Sequence, residues 1–234
     1  MLPIRDNVQS KTPQIVTIVL IAINAIIFLF EVSLGSRLNE FLLAFGFTPS
    51  KFFHLLEKGD LLVAILPLFS SIFLHGGWLH IIGNMWFLWI FGDNVEDRMG
   101  HVKFLFFYIL CGLLAGLSHA FLSSQSSIPT VGASGAIAGV MGAYIILYPR
   151  AKIWTLIPIF FFVQFIEIPA FVFLGFWILI QFFVGAFSMG MGSLGGVAWW
   201  AHVGGFAAGA LLVFIFRKRE RTMPRRFADE YRPW

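Results

Sequence analysis

Charge is scarce in this sequence. Lys, Arg, Asp and Glu make up 12% of its 234 residues, about half the ~25% share of a soluble domain. They are missing altogether from Thr12 to Phe30, Leu61 to Gly92, Phe104 to Pro149 and Ile168 to Phe216. A water-soluble core of this size could not house such stretches, which excludes a soluble enzyme or binding module and points to the membrane class. Cysteine is nearly absent as well: the single Cys111 excludes an internal disulfide framework and a zinc ribbon. There is no H-E-x-x-H, and no carboxylate accompanies the histidines at His75 and His80, so a metal site is not indicated. No internal repeat of the transporter type is present. The start, Met1 to Pro13, is too polar for a cleaved signal and no small-x-small pattern follows Phe30, so the first apolar run is expected to be retained.

What the chain has instead is apolar bulk, with 59% hydrophobic residues, 29 of them Phe, and a mean hydropathy of +0.85. One span needs about 20 apolar residues, so each of the two longest charge-free stretches holds a pair. Six spans result: Ile15 to Val32, Leu79 to Val95, Val102 to Phe121, Ser134 to Tyr148, Ala170 to Phe187 and Ala198 to Phe216. The connection from Ser33 to Trp78 is too apolar to float free, and Pro49, Gly59 and Pro67 interrupt it. It reads as a partly membrane-embedded loop with short interfacial helices. Ile153 to Glu167, about 15 apolar residues with Pro158 inside, is too short for a span and reads as interfacial.

The basic residues fix the orientation. With six spans and the N-terminus inside, all of the 16 Lys and Arg except Arg37, Lys51 and Lys58 fall on the cytoplasmic side, as the positive-inside rule requires. Seven spans would send the tail RKRERTMPRR outside. Residues 1–234 thus form one membrane domain, with a short cytoplasmic segment 1–14 and a basic cytoplasmic tail 217–234. That tail reads as a stop-transfer flank rather than a nucleic-acid patch.

Polar side chains at membrane depth are functional candidates by default, and His80, Asn84, His119, Ser134, Gln181 and His202 stand out. His75, His80 and Asn84 read H-x-x-x-x-H-x-x-x-N, with the last two on one helix face. Ser134, in Val131-Gly132-Ala133-Ser134-Gly135, opens the fourth span, where unpaired backbone N–H groups and the positive end of the helix dipole suit a developing oxyanion. Taken alone it reads better as an N-cap or a small packing residue. His202 changes that balance. Gly135 and Gly139 on span four, and Gly205 and Gly209 on span six, form small-x-x-x-small faces. If those faces pack together, His202 comes within reach of Ser134, as general base to nucleophile. The spans offer no obvious carboxylate as the third member of a triad, so a dyad is expected. His80 and Asn84 would supply donors to the oxyanion, beside the Ser134 N–H.

Together these segments resemble the rhomboid family of intramembrane serine proteases, over Ser71 to Gly209. The carriers are the HGGWLHIIGN block ending at Asn84, the Glu96-Asp97-Arg98-Met99-Gly100 turn, Gly132-Ala133-Ser134-Gly135, and Ala201-His202-Val203-Gly204-Gly205. The resemblance implies an all-α, six-helix core that cleaves single-span membrane proteins near the outer face, without ATP, metal or other cofactor. It implies that Ser134 and His202 form the dyad, that His80 and Asn84 are the oxyanion residues, and that Glu96 has a structural role at a cytoplasmic turn. It further implies that Ser33 to Trp78 is the membrane-dipping first loop and span five a lateral gate. Two departures are visible. Many members place an aromatic, stacked on the catalytic histidine, where this chain has Ala138. Some bacterial members carry a Trp-Arg pair in the first loop, absent between Ser33 and Trp78. The first bears on the orientation of His202, the second on the anchoring of the loop.

A catalytically silent relative that binds or chaperones membrane clients would typically have lost the serine or the histidine, and both are here. A channel or transporter would show inverted repeats, broken gating helices or an intramembrane ion pair. The expected protein is therefore an intramembrane serine endopeptidase whose partners are single-span substrates and membrane lipids, with no nucleic acid. Its compact form resembles bacterial members and places it in a prokaryotic plasma membrane with both termini cytoplasmic.

Overall fold

The structure, a computed structural model, describes residues 1–159, 162–190 and 198–218. A strand β1 (Leu2–Asp6) leads into α1 (Ile15–Ser33), and three short helices follow, α2 (Leu38–Phe45), α3 (Pro49–Glu57) and α4 (Leu61–Ser70). The long helices α5 (Trp78–Met99) and α6 (His101–Leu122) precede a shorter α7 (Ser134–Leu147). Strands β2 (Lys152–Ile159) and β3 (Phe162–Pro169) come next, then α8 (Ala170–Gly190) and α9 (Trp199–Phe216).

The six long segments expected from the sequence are α1, α5, α6, α7, α8 and α9, with ends that agree to within a few residues. Among the described residues, α1, α6, α8 and α9 are long and apolar enough to cross a membrane by themselves. A fifth candidate joins the α4 segment to α5 across a 79° bend. The last turns of α5 carry Asp93, Glu96, Asp97 and Arg98, which lowers its apolar character, and α7 has only 14 residues. Only 28% of the apolar window of each of α1, α8 and α9 is buried within the chain. Their remaining surface, Ile26, Leu29, Phe183 and Leu211 included, is apolar and outward-facing. A water-soluble monomer does not present so large an apolar exterior. The chain is an integral membrane protein built as a helical bundle.

α7 and α9 make the most extensive contact in the molecule, and α6 packs on both. Glycine sets the closeness of that seam. A Cβ on Gly205 would run into the carbonyl of Gly135, and one on Gly209 into the carbonyl of Gly139. The two small-residue faces read from the sequence therefore meet, backbone to backbone. Around this seam lies a core of Phe91, Phe104, Phe107, Tyr108, Met141 and Tyr144, all fully buried.

The connection from Ser33 to Trp78 folds as α2, α3 and α4 with short 3-10 turns, and the longest of these helices, α4, has 10 residues. Its anchor is apolar. Phe47 exchanges two backbone hydrogen bonds with Thr130 (3.0 and 2.7 Å), and Phe47, Phe52, Ala64, Leu68 and Ala120 form a second small core. Ring contacts run from Phe47 through Phe52 and Phe53 to Phe121 on α6. This cluster holds the loop without the Trp-Arg pair.

One expectation needs amending. The helical bundle is accompanied by a three-stranded antiparallel sheet, ordered β1-β2-β3, so the fold is not purely α. β2 and β3 pair from Lys152 opposite Pro169 to Ile159 opposite Phe162, and Leu2 lies opposite Leu156. Segment 153–167, read as interfacial, thus carries the paired strands β2 and β3, and segment 1–14, read as a short cytoplasmic segment, supplies the third strand. Alternation of β-branched and aromatic residues in β2 and β3 favours strands over a short helix. Asp6 fastens β1 to the bundle: its carboxylate accepts hydrogen bonds from Asn94 Nδ2 (2.9 Å) on α5 and from the Tyr144 hydroxyl on α7. Trp86 Nε1 donates to the Pro3 carbonyl at 2.7 Å.

At the same end of the bundle, Glu96 caps α1. Its two carboxylate oxygens accept from the backbone N–H groups of Val16 and Thr17 (2.8 Å each) and from the Thr17 hydroxyl (2.7 Å), and Oε1 lies 2.6 Å from His101 Nδ1. An acid at a helix N-terminus satisfies orphan donors and opposes the dipole. The structural role expected for Glu96 is visible in these bonds. Lys218 Nζ donates to the Asp97 carbonyl at 2.9 Å; the rest of the basic tail, from residue 219, lies outside the described residues.

Candidate active site

At the opposite end of the bundle, a cavity of about 1310 Å³ opens between α5, α6, α7, α8 and α9. Ser134, His202, His80 and Asn84 all line it. The polar residues Ser123, Ser124, Gln125 and Ser126, which follow α6, lie at its wall.

Ser134 is the first residue of α7, so its N–H has no acceptor within the helix. The chain reaches it through Gly132, whose φ of 128° is open only to glycine without strain. A side chain there would also meet the His80 ring, 2.6 Å from its Nε2, and would sit 3.5 Å from Asn84 Nδ2. Gly132 thus lets the imidazole and the amide approach the backbone that leads into Ser134.

The Ser134 hydroxyl lies 2.9 Å from His202 Nε2. That separation follows from the glycine seam, because His202 stands one turn before Gly205 and Ser134 one residue before Gly135. An imidazole nitrogen at this distance can take the hydroxyl proton as the oxygen attacks a carbonyl. His80 and Asn84, one helical turn apart on α5, present their side chains to the same cavity, where side-chain N–H groups can meet an oxyanion.

Several supporting contacts were not read from the sequence. His202 Nδ1 lies 2.6 Å from Gln181 Oε1 on α8; Gln181 stands in the polar set, but its partner was not named. The Trp177 ring, one turn earlier on α8, lies 5.7 Å from the His202 ring, and Trp199 stands edge-on at 6.2 Å. These rings occupy the neighbourhood of the imidazole that Ala138, fully buried in α7, leaves without an aromatic. Further back, His75 Nε2 lies 3.0 Å from Asn84 Nδ2. The His75 backbone N–H donates to both carboxylate oxygens of Glu31 at 3.2 Å. Glu31, a fully buried carboxylate in the last turns of α1, is absent from the polar set drawn from the sequence. It holds the bend before α5 rather than touching the histidine of the site. His119, one of the polar residues noted at membrane depth, lines the cavity as well.

Comparison with known proteins places the chain in a family. The Rhomboid domain profile matches residues 64–219, from within α4 past the end of α9, with Ser134, His202, His80 and Asn84 inside it. RHOMBOID-like protein 1 of Arabidopsis thaliana is 32% identical over 168 residues, 69% of this chain and 39% of that one. Rhomboid protease GluP of Bacillus subtilis (strain 168) is 35% identical over 116 residues, covering 50% and 21% of the two chains. Rhomboid protein 1, mitochondrial, of Saccharomyces cerevisiae is 32% identical over 104 residues, covering 43% and 30%. The matched segments thus span about two fifths or less of these relatives' lengths. The family profile covers well over half of the chain and every segment that builds the cavity, so this protein belongs to the rhomboid family.

Proposed function

We propose that the protein is a serine endopeptidase that cleaves transmembrane segments within the bilayer, with Ser134 as nucleophile and His202 as general base. The observation that carries this reading is the 2.9 Å contact between the Ser134 hydroxyl and His202 Nε2 at the wall of a large cavity. The name of the Bacillus relative, a rhomboid protease, supports it.

In this mechanism His202 Nε2 accepts the hydroxyl proton while Ser134 Oγ adds to the scissile carbonyl. The Ser134 N–H, His80 and Asn84 donate to the oxyanion. The tetrahedral intermediate collapses as His202 returns the proton to the leaving amine, and a water, activated by the same imidazole, releases the acyl group. No metal or cofactor enters any step.

The geometry of α7 supports chemistry below the membrane surface. Fourteen residues make a helix of about 21 Å, against a hydrocarbon thickness of about 30 Å. With its C-terminal end at the cytoplasmic face, beside Arg150 and Lys152, its N-terminus lies inside the bilayer. The wall of Ser123 to Ser126 then gives water a polar way in from the outer side. The substrate is a single-span protein that enters sideways past α8 and presents an unwound stretch to Ser134. The positive-inside count supports six crossings and cytoplasmic termini, and the compact domain fits a prokaryotic plasma membrane.

The test is cleavage of a single-span model substrate in liposomes by the parent, Ser134→Ala and His202→Ala proteins, each shown to be folded by circular dichroism. The reading expects cleavage by the parent alone. Cleavage that persists in both variants overturns it, and a folded parent that binds the substrate without cutting it favours a client-binding rhomboid-like protein.

A further inference from the structure

The hydrogen bond from α8 to His202 lies outside the serine–histidine pair, and its chemistry is specific. A neutral imidazole has one N–H and one lone pair. For Nε2 to accept the Ser134 proton, the ring hydrogen must sit on Nδ1. The group facing Nδ1 then decides whether His202 is a base or a bystander. That group is the amide oxygen of Gln181, at 2.6 Å, on a side chain that is itself buried. An amide oxygen accepts and cannot donate, so it selects the Nδ1–H form and leaves the Nε2 lone pair toward Ser134. Were the amide turned to offer its NH2 instead, the tautomer would be reversed.

We propose that Gln181 is a positioning residue that holds His202 in its basic tautomer, and that the placement of α8 therefore controls whether the serine–histidine pair is aligned. This rests on the protease reading above. Trp177 adds to the same function. One turn from Gln181, it contacts the imidazole and, at 6.4 Å between ring centroids, Phe206 on α9. α8 thus restrains both the tilt of the ring and its protonation. α8 also packs on α9 much less extensively than α7 does, and among the described residues its close glycine approach to α9, at Gly185, is to the side chains of Trp199 and Trp200 rather than to backbone. An outward shift of α8 by about 1 Å lengthens the Gln181 contact beyond hydrogen-bonding distance, while the glycine seam keeps α9 against α7. His202 then stays beside Ser134 but loses its fixed tautomer. A substrate that parts α8 from α9 is cut only once α8 has closed again on His202.

Two readouts test this on the full-length, detergent-solubilised protein. The first is the 15N spectrum of its histidines, with the His202 signals assigned by difference from His202→Gln. Parent and Gln181→Glu are expected to show the ring proton on Nδ1, and Gln181→Leu a mixture of tautomers. The second is turnover of the model substrate. Gln181→Leu is expected to lower kcat at least about tenfold, a fraction of what a general base supplies, with KM unchanged, and Gln181→Glu to restore most of it. A parent with the proton on Nε2, or a Gln181→Leu protein with parental kcat, overturns the inference. Equal losses in the Leu and Glu variants, in step with lowered thermal stability, also overturn it by assigning Gln181 to packing alone. A parent that cleaves nothing would fail the protease reading, and the spectrum by itself would then decide whether Gln181 sets the tautomer.

Discussion

Replacing Gly209 by alanine should switch off the site from a distance. Gly209 lies two turns beyond His202 on α9, and its added Cβ would stand 2.6 Å from the Gly139 Cα and closer still to the Gly139 carbonyl oxygen. Carbon atoms rest about 3.5–4.0 Å apart, so the helices must separate by about 1 Å. Both obstacles are backbone, and no side chain can rotate away. The 2.9 Å contact between Ser134 and His202 spans the same two helices and would stretch to about 4 Å, beyond hydrogen-bonding range. Overpacking of this kind costs about 1–3 kcal/mol of stability, and a 1 Å misplacement of reacting groups costs about 100-fold in rate. Turnover of a model substrate and thermal unfolding in detergent measure the two effects. Gly175→Ala on α8 is the control, since a Cβ there meets nothing within 4 Å. A folded Gly209→Ala protein with parental turnover would refute the claim that the glycine seam sets the alignment.

Asn84→Ala and His80→Ala should each lower kcat by about 100-fold or more, the usual cost of losing one oxyanion donor, with circular dichroism unchanged; parental kcat in either would remove that residue from the role. Glu96→Ala strips α1 of its cap, leaving buried donors unpaired, and should reduce thermal stability by about 1–3 kcal/mol, whereas a parental melting profile would contradict the capping role. At Asp6, outside the spans, burial raises the carboxyl pKa above 3.8, against the lowering effect of the Tyr144 hydrogen bond. The folded state therefore holds the proton to higher pH than the unfolded chain, and this group's contribution to stability falls as pH rises from about 3.8 through the folded value. Asp6→Asn should lose that component, seen as a flatter melting temperature against pH than in the parent; identical slopes would refute it.

Long apolar runs made the helices legible, because each span satisfies its backbone hydrogen bonds within itself and declares its length in composition. The spacing of Gly135, Gly139, Gly205 and Gly209 went further and anticipated a tertiary contact, since only glycine permits such an approach. The sheet was not legible to the same degree. β1 is five residues with a proline, and its partner lies about 150 positions away, so no local pattern announces the pairing. The missed supports of the site share one feature: each depends on where another helix stands. Gln181 was visible as a polar residue in an apolar span, but its tie to His202 depends on the facing of α8 and α9. Glu31 is spent on the backbone of the bend at His75, a partner with no sequence signature.

The most direct test of the central claim is covalent trapping of the nucleophile. The detergent-solubilised protein is treated with a fluorophosphonate, which reacts with activated serines, and the adduct is mapped by mass spectrometry. A single adduct on Ser134, lost in His202→Ala, is the result expected from the 2.9 Å contact between the two side chains. An adduct on another serine, or labelling of Ser134 at the parental rate without His202, would contradict the account.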